Sequence, residues 1–152
     1  LPSRSKSRAL PAIPKVETAT IIPLDTRRSR CDHAGTEVIV KKAAMFAFNG
    51  EPMCFVHVLL NAMDMKERGY EVQVVIEGAA TKLVATIGET PFAGLYEKVR
   101  DAGLIGCVCD VCSSKMGSRQ AALDQKLELC NEMNGHPSIA RYLDEGYRVF
   151  TF

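Results

Sequence analysis

Three of the six cysteines crowd into the run Cys107-Val108-Cys109-Asp110-Val111-Cys112. Thiols at this spacing support three chemistries. A thiolate attacks sulfur, so one cysteine can take up and hand on a sulfur atom. A C-x-x-C pair such as Cys109/Cys112 closes to a disulfide when one thiol is acidic and the other resolves it. Cys107, Cys109 and Cys112 are also three soft metal ligands, for which Cys31 or His33 can supply a fourth; this metal reading is the less favoured one. The apolar run Leu104–Cys109 reads as a short buried strand that delivers the cluster. Alternation puts Cys107 and Cys109 on one face, with Cys109 nearer the strand's end. In an open parallel sheet reacting groups gather at the carboxyl edge. A helix N-terminus follows, and Lys115 lies in the same stretch. Together they predict a Cys109 thiol about one unit below the usual value of about 8.5.

Other residues are candidates by position. Glu77 and Asn49 close predicted strands and reach the same carboxyl edge, as pocket-lining groups or as turn formers. His136 stands before Pro137, where an N-cap is expected, in a loop that opens on that edge and can bring a proton acceptor or ligand to it. His57 lies on a polar helix stripe and reads as solvated or subunit-facing. Cys54 and Cys130 sit in apolar patterns and read as small core residues. Neither G-x-x-x-x-G-K-[ST] nor G-x-G-x-x-G is present, so nucleotide binding has no support, and no seryl triad signature is visible. No cofactor is expected.

The elements that must position these groups are legible in outline. Val38–Phe48 reads as a buried strand stopping at Asn49-Gly50. Pro52 sits at a first helical position, and His57, Asn61, Asp64 and Arg68 form one narrow polar stripe on an otherwise apolar helix ended by Gly69. Val72–Ile76 is the next strand, followed by a helical stretch over Ala79–Ala85. Pro91 opens an amphipathic helix with Phe92, Leu95, Tyr96 and Val99 on one face, ended by Gly103. Ser118–Gln125 is helical, and Leu127–Cys130 is its continuation or a short strand. Pro137 starts a last helix carrying Ile139, Ala140 and Leu143 and stopped by Gly146, before a terminal strand over Tyr147–Phe152. Alternating strands and helices predict a three-layer α/β/α fold with a mostly parallel sheet of about five strands.

With these elements in place, the chain resembles the DsrE/DsrF/TusD-like sulfur-relay family. Cys109 followed by Gly117 across a Ser/Lys-rich turn resembles its active loop. Glu71–Ala79 resembles its second strand and Glu-Gly turn, and Gly146–Phe152 its closing strand. The resemblance spans about residues 40–152 and leaves the front uncovered. It implies an oligomeric α/β/α protein that carries sulfane sulfur as a persulfide on Cys109 and passes it on with help from Cys112. The expected partners are sulfur donor and acceptor proteins and further copies of the chain, with the role of sulfurtransferase or carrier. Cys107 and Cys112 are additions to the family's pattern.

Composition sets the frame. The 152 residues are 47% hydrophobic with a net charge of +1, which excludes a disordered chain and any global field for nucleic acid. No apolar run is long enough for a transmembrane helix, so neither membrane nor nucleic acid is an expected partner. The charge is uneven: residues 1–30 hold Arg4, Lys6, Arg8, Lys15, Arg27, Arg28 and Arg30 against Glu17 and Asp25, with four of the seven prolines. Residues 1–37 therefore read as a basic arm, with one short strand at Thr20–Pro23, and 38–152 as the α/β domain. The front lacks a signal-peptide pattern and opens on Leu1, so the expectation is no retained secretory signal and a true start upstream. Clustered rather than spread cysteines point to thiols kept reduced in a cytoplasm.

Overall fold

Four apolar segments and one two-residue strand form a single sheet. In chain order they are β3 (Lys42–Ala47), β4 (Glu71–Ile76), β5 (Ile105–Cys109), β6 (Leu129–Cys130) and β7 (Arg148–Thr151). A computed structural model describes residues 40–152 throughout, together with the backbone of β1 (Arg30–Cys31) and β2 (Glu37–Val38), which pair antiparallel. The predicted strand at Thr20–Pro23 and most of the basic arm lie outside the described residues. The predicted Val38–Phe48 strand is shorter, confined to β3 within the main sheet.

The main sheet has the order β6-β5-β4-β3-β7, and every pairing in it is parallel. Helices on both faces make the expected three layers. Met45, Ala47, Val72, Val74, Ile76 and Val108 point to one face, covered by α1 (Pro52–Glu67), α2 (Leu83–Thr86), α3 (Ala93–Asp101) and α5 (Arg119–Asp124). Ala44, Phe46, Val75, Cys107 and Cys130 point to the other, where Tyr142 of α6 (Ile139–Asp144) and Tyr147 cover them. Both faces being covered, β3 and the inner residues of β4 and β5 lack a solvent-facing polar set, as parallel strands must, whereas the edge strand β7 is largely exposed.

α1 begins at Pro52, which gives up no intrahelical donor there, and Gly69 ends it at φ +80, with its N–H on Lys66 O at 2.9 Å. Its exposed side is broader than the polar stripe of His57, Asn61 and Asp64, because Met53 (60% exposed) and Leu60 (49%) join it. In α6 the apolar Ile139 and Leu143 are exposed and the helix buries Tyr142. Its N-cap is Ser138, not His136. The helix N-terminus expected just after the cysteine cluster is that of α4 (Asp110–Lys115), which starts on the residue after β5, ahead of the helix read over Ser118–Gln125. Among the described residues no helix is long and apolar enough to cross a membrane.

Candidate functional site

β4 and β5 bring two site residues together through their register. Val74 pairs with Ile105, but Val75 pairs with Cys107, so Gly106 is an extra residue on β5. This bulge puts Cys107 in phase with Val75. Continued past the pairing of Ile76 with Val108, the register sets Cys109 alongside Glu77 on the same face. The Gln73 side-chain amide reaches over Gly106, in the space a Cβ there would take.

Cys109 ends β5 and is the N-cap of α4; its sulfur accepts the Cys112 N–H at 3.4 Å. This turn swings Cys112 back over Cys109. α4 is pinned by Ser113 Oγ donating to Asp110 O (2.9 Å) and by the Arg119–Asp110 ion pair (2.7 Å), before Gly117 at φ +71 turns the chain into α5. His136 arrives from the loop after β6. Met133 and His136 exchange backbone hydrogen bonds across Asn134 and Gly135, both at positive φ (52 and 91). Asn-Gly is the pair that such a tight turn selects. The Gly135 carbonyl accepts the Val111 N–H at 3.1 Å and lies 3.5 Å from Cys109 Sγ, which fastens the turn to α4.

The side chains converge on one nitrogen. His136 Nδ1 lies 3.1 Å from Glu77 Oε1, 3.3 Å from Cys109 Sγ and 3.7 Å from Cys112 Sγ. The four ligand atoms all lie within 4.8 Å of one another. A single proton on Nδ1 cannot serve three neighbours at once, whereas a cation between them can. Around tetrahedral zinc, bond lengths of 2.0–2.3 Å put ligand atoms about 3.4–3.8 Å apart, close to the three distances from His136 Nδ1.

Burial sets the charge states. Cys109 is fully buried, and desolvation, reinforced by the hydrogen-bonded Cys112 thiol, pushes its thiol up to about 12. This reverses the expected acidic Cys109: loss of water outweighs the Cys112 N–H. Burial likewise raises Glu77, against the His136 imidazole, which lowers it.

Of the residues singled out from sequence, Cys109, Cys112, His136 and Glu77 meet here. Asn49 stays out, with its amide on Cys54 Sγ (3.6 Å) and its Oδ1 on the Glu51 N–H. Lys115 is exposed at the far end of α4. Cys107 is not a free ligand: it forms a disulfide with Cys130, which removes it from the Cys31/Cys107/Cys109/Cys112 metal set and corrects the reading of Cys130 as a plain core residue. Cys54 is a free, exposed thiol rather than a core one. The side chains of Cys31 and His33 lie outside the described residues. His136 reaches the site from the loop expected to open on this edge, aimed inward by the Asn134-Gly135 turn, which sequence analysis does not single out.

Fold and site together define an all-parallel α/β protein with a thiol–imidazole–carboxylate cluster at the carboxyl edge of its sheet. The chain is 36% identical over 95 residues to the uncharacterised protein MJ0733 of Methanocaldococcus jannaschii, covering 61% of this chain and 75% of that protein, and it belongs to that protein's family. Two short uncharacterised proteins of Archaeoglobus fulgidus match along their whole length. Each is 46% identical, one over 61 residues (40% of this chain) and the other over 37 (24%). No family model and no solved structure matches the chain.

Proposed function

We propose that this is a metal-binding protein whose site takes one thiophilic divalent cation of the zinc class on Cys109, Cys112, His136 and Glu77. The observation that carries this reading is the convergence of the four ligand atoms within 4.8 Å. Two thiolates and an imidazole are the donors that borderline-soft cations select over magnesium or calcium. Binding replaces the protons on the two thiols, and it offsets the burial that makes a free Cys109 thiolate unfavourable. The Cys112 N–H then donates to a metal-bound sulfur. The test is elemental analysis of protein purified without chelator, followed by cobalt(II) substitution. One metal per chain is expected, with sulfur-to-cobalt charge-transfer absorption that His136→Ala and Cys112→Ser both weaken. Protein that neither retains metal nor takes up cobalt at micromolar concentration would sink the reading.

A second reading, sulfur transfer, is favoured by the different exposure of the two thiols. Cys112 is partly open and beside His136, while Cys109 is sealed behind it. In this version sulfur enters at Cys112. Its thiolate attacks the outer sulfur of a donor persulfide, a new S–S bond forms, and the donor leaves as a thiol. Cys109 can then attack that outer sulfur and take it inward, leaving Cys112 as a thiol. The partners are a donor and an acceptor protein, with the chain acting as an oligomer, which sedimentation checks. Incubation with a competent donor should add about 32 Da per sulfur, lost in Cys112→Ser. No mass gain in the metal-free protein would exclude it.

A further inference from the structure

Cys130 stands next to two cysteines of one strand. It is bonded to Cys107, with Cα atoms 5.7 Å apart, yet its register partner across the β5–β6 ladder is Cys109. Neighbouring strands lie about 4.7–4.9 Å apart. That falls inside the Cα separation of about 4.4–6.8 Å that a disulfide accepts. By Cα separation Cys130 is therefore within reach of either residue. Cys109 in turn holds the Cys112 N–H on its sulfur, and the two sulfurs lie within 4.8 Å. The half-open Cys112 thus neighbours the buried Cys109, and Cys109 neighbours in register one member of a disulfide in the core.

We propose that the Cys107–Cys130 disulfide is a second redox centre in series with Cys109 and Cys112, and that the metal-free chain exchanges the two pairs internally. First Cys109 gives its proton to the adjacent His136 as its sulfur attacks Cys130 Sγ. The Cys109–Cys130 bond forms, the Cys107–Cys130 bond breaks, and Cys107 leaves as a thiolate. Then the Cys112 thiolate attacks Cys109 Sγ; the Cys109–Cys112 bond forms and Cys130 leaves. Two electrons pass from the outer pair to the inner pair, and the two protons shed by Cys109 and Cys112 end on Cys107 and Cys130. No outside oxidant is needed, because the inner disulfide is the oxidant.

Both ends of the exchange are equipped for this. His136 Nδ1, at 3.3 and 3.7 Å from the outer sulfurs, is the group that takes each proton. At the inner end the Tyr142 hydroxyl lies 3.8 Å from Cys107 Sγ. Its oxygen already accepts from Arg141 Nη2 at 3.0 Å, which leaves its own proton to meet the departing Cys107 sulfur. A bound cation holds both outer thiolates and blocks the first attack. That block rests on the metal-binding reading; the exchange itself does not.

The test follows the disulfide-bearing chain under anaerobic conditions, with and without zinc, after removal of bound metal by a chelator. Samples are quenched with acid and alkylated over hours, and their linkages are mapped by peptide mass. In the chelated sample the Cys107–Cys130 peptide should fall and Cys109–Cys112 rise one for one, with the total thiol count unchanged. One equivalent of zinc should hold the linkage at Cys107–Cys130. Cys112→Ser should stop at Cys109–Cys130 with Cys107 alkylated, and Tyr142→Phe should slow the wild-type rate several-fold. A linkage that stays wholly at Cys107–Cys130 in the chelated wild-type chain overturns the proposal, as does a Cys109–Cys112 bond gained only as thiols are lost. Zinc stoichiometry on the same samples separates the two ideas. Exchange without zinc binding removes the metal reading alone, and zinc binding without exchange after chelation removes the exchange alone.

Discussion

At the scale of single residues, the three free thiols of the described chain differ sharply in setting. Cys54 is exposed, Cys112 partly covered, and Cys109 sealed, with its thiol pushed up to about 12 by burial. Alkylation of metal-free protein near neutral pH should therefore label Cys54 first, Cys112 next and Cys109 last, read by peptide mass; early labelling of Cys109 would contradict its burial. The same shift has a pH signature. The folded-state value lies above the ordinary value of 9.0, so the folded chain holds this proton more tightly than the unfolded chain does. The stability it contributes is complete below about pH 9 and is lost as pH rises toward about 12. Urea midpoints of the metal-free protein should fall across that window, and less steeply in Cys109→Ser. Tyr96, also raised to about 12 by burial, adds to the fall in both proteins, so their difference isolates the thiol. Parallel curves would mean that Cys109 titrates normally.

At the scale of elements, the site depends on a turn more than on a helix. Gly135 sits at φ +91, and a Cβ there would meet Val111 Cγ2 at 2.1 Å. Because Val111 belongs to α4, this close approach seats the His136 turn against the helix that carries Cys112. Gly135→Ala forces an unfavourable backbone angle and a clash together. It should destabilise the protein by about 1–3 kcal/mol. It should also weaken zinc or cobalt binding at least tenfold, because moving one ligand by about 1 Å breaks the tetrahedral fit. Titration with cobalt, followed by its absorption, reads this directly. Unchanged affinity would show that the turn does not set the ligand geometry. Substitution of Gly88, whose Cβ would meet nothing within 4 Å, is the control.

For the whole molecule, the site ties the two covered faces of the sheet to one edge. Ligands come from the end of β4, the end of β5, α4 and the loop after β6, so a bound cation cross-links four parts of the chain that the unfolded state leaves apart. Free zinc at one hundred times its dissociation constant should add about 2.7 kcal/mol of stability. For a domain of this size that corresponds to a rise of about 5–10 °C in melting temperature. Thermal melts with zinc and with chelator check this, and His136→Ala should abolish the difference. A melting temperature indifferent to zinc would remove the cation from the account of this protein.

Much of the fold was legible in the sequence because its signals are local. Pro52 and Gly69 bracket α1, apolar runs mark β3, β4 and β5, and the alternation of strands with helices dictates parallel crossovers. The C-x-x-C pair and its place at a strand end were legible for the same reason. Three things were not. The disulfide partner of Cys107 lies 23 residues away, and no spacing rule selects Cys130 over another thiol. The acidic Cys109 expected from a helix end gave way to burial, which depends on what packs around the sulfur rather than on its neighbours in the chain. The meeting of Glu77 and His136, 59 residues apart, needs the extra residue at Gly106 to set the phase of β5 and the Asn134-Gly135 turn to bring the histidine back. Periodicity and capping are written in adjacent residues, so the chain itself determined its elements and the cysteine pair. Register, burial and closure arise only when distant segments pack, so the tertiary structure decided which residues share the site and in what protonation state they wait.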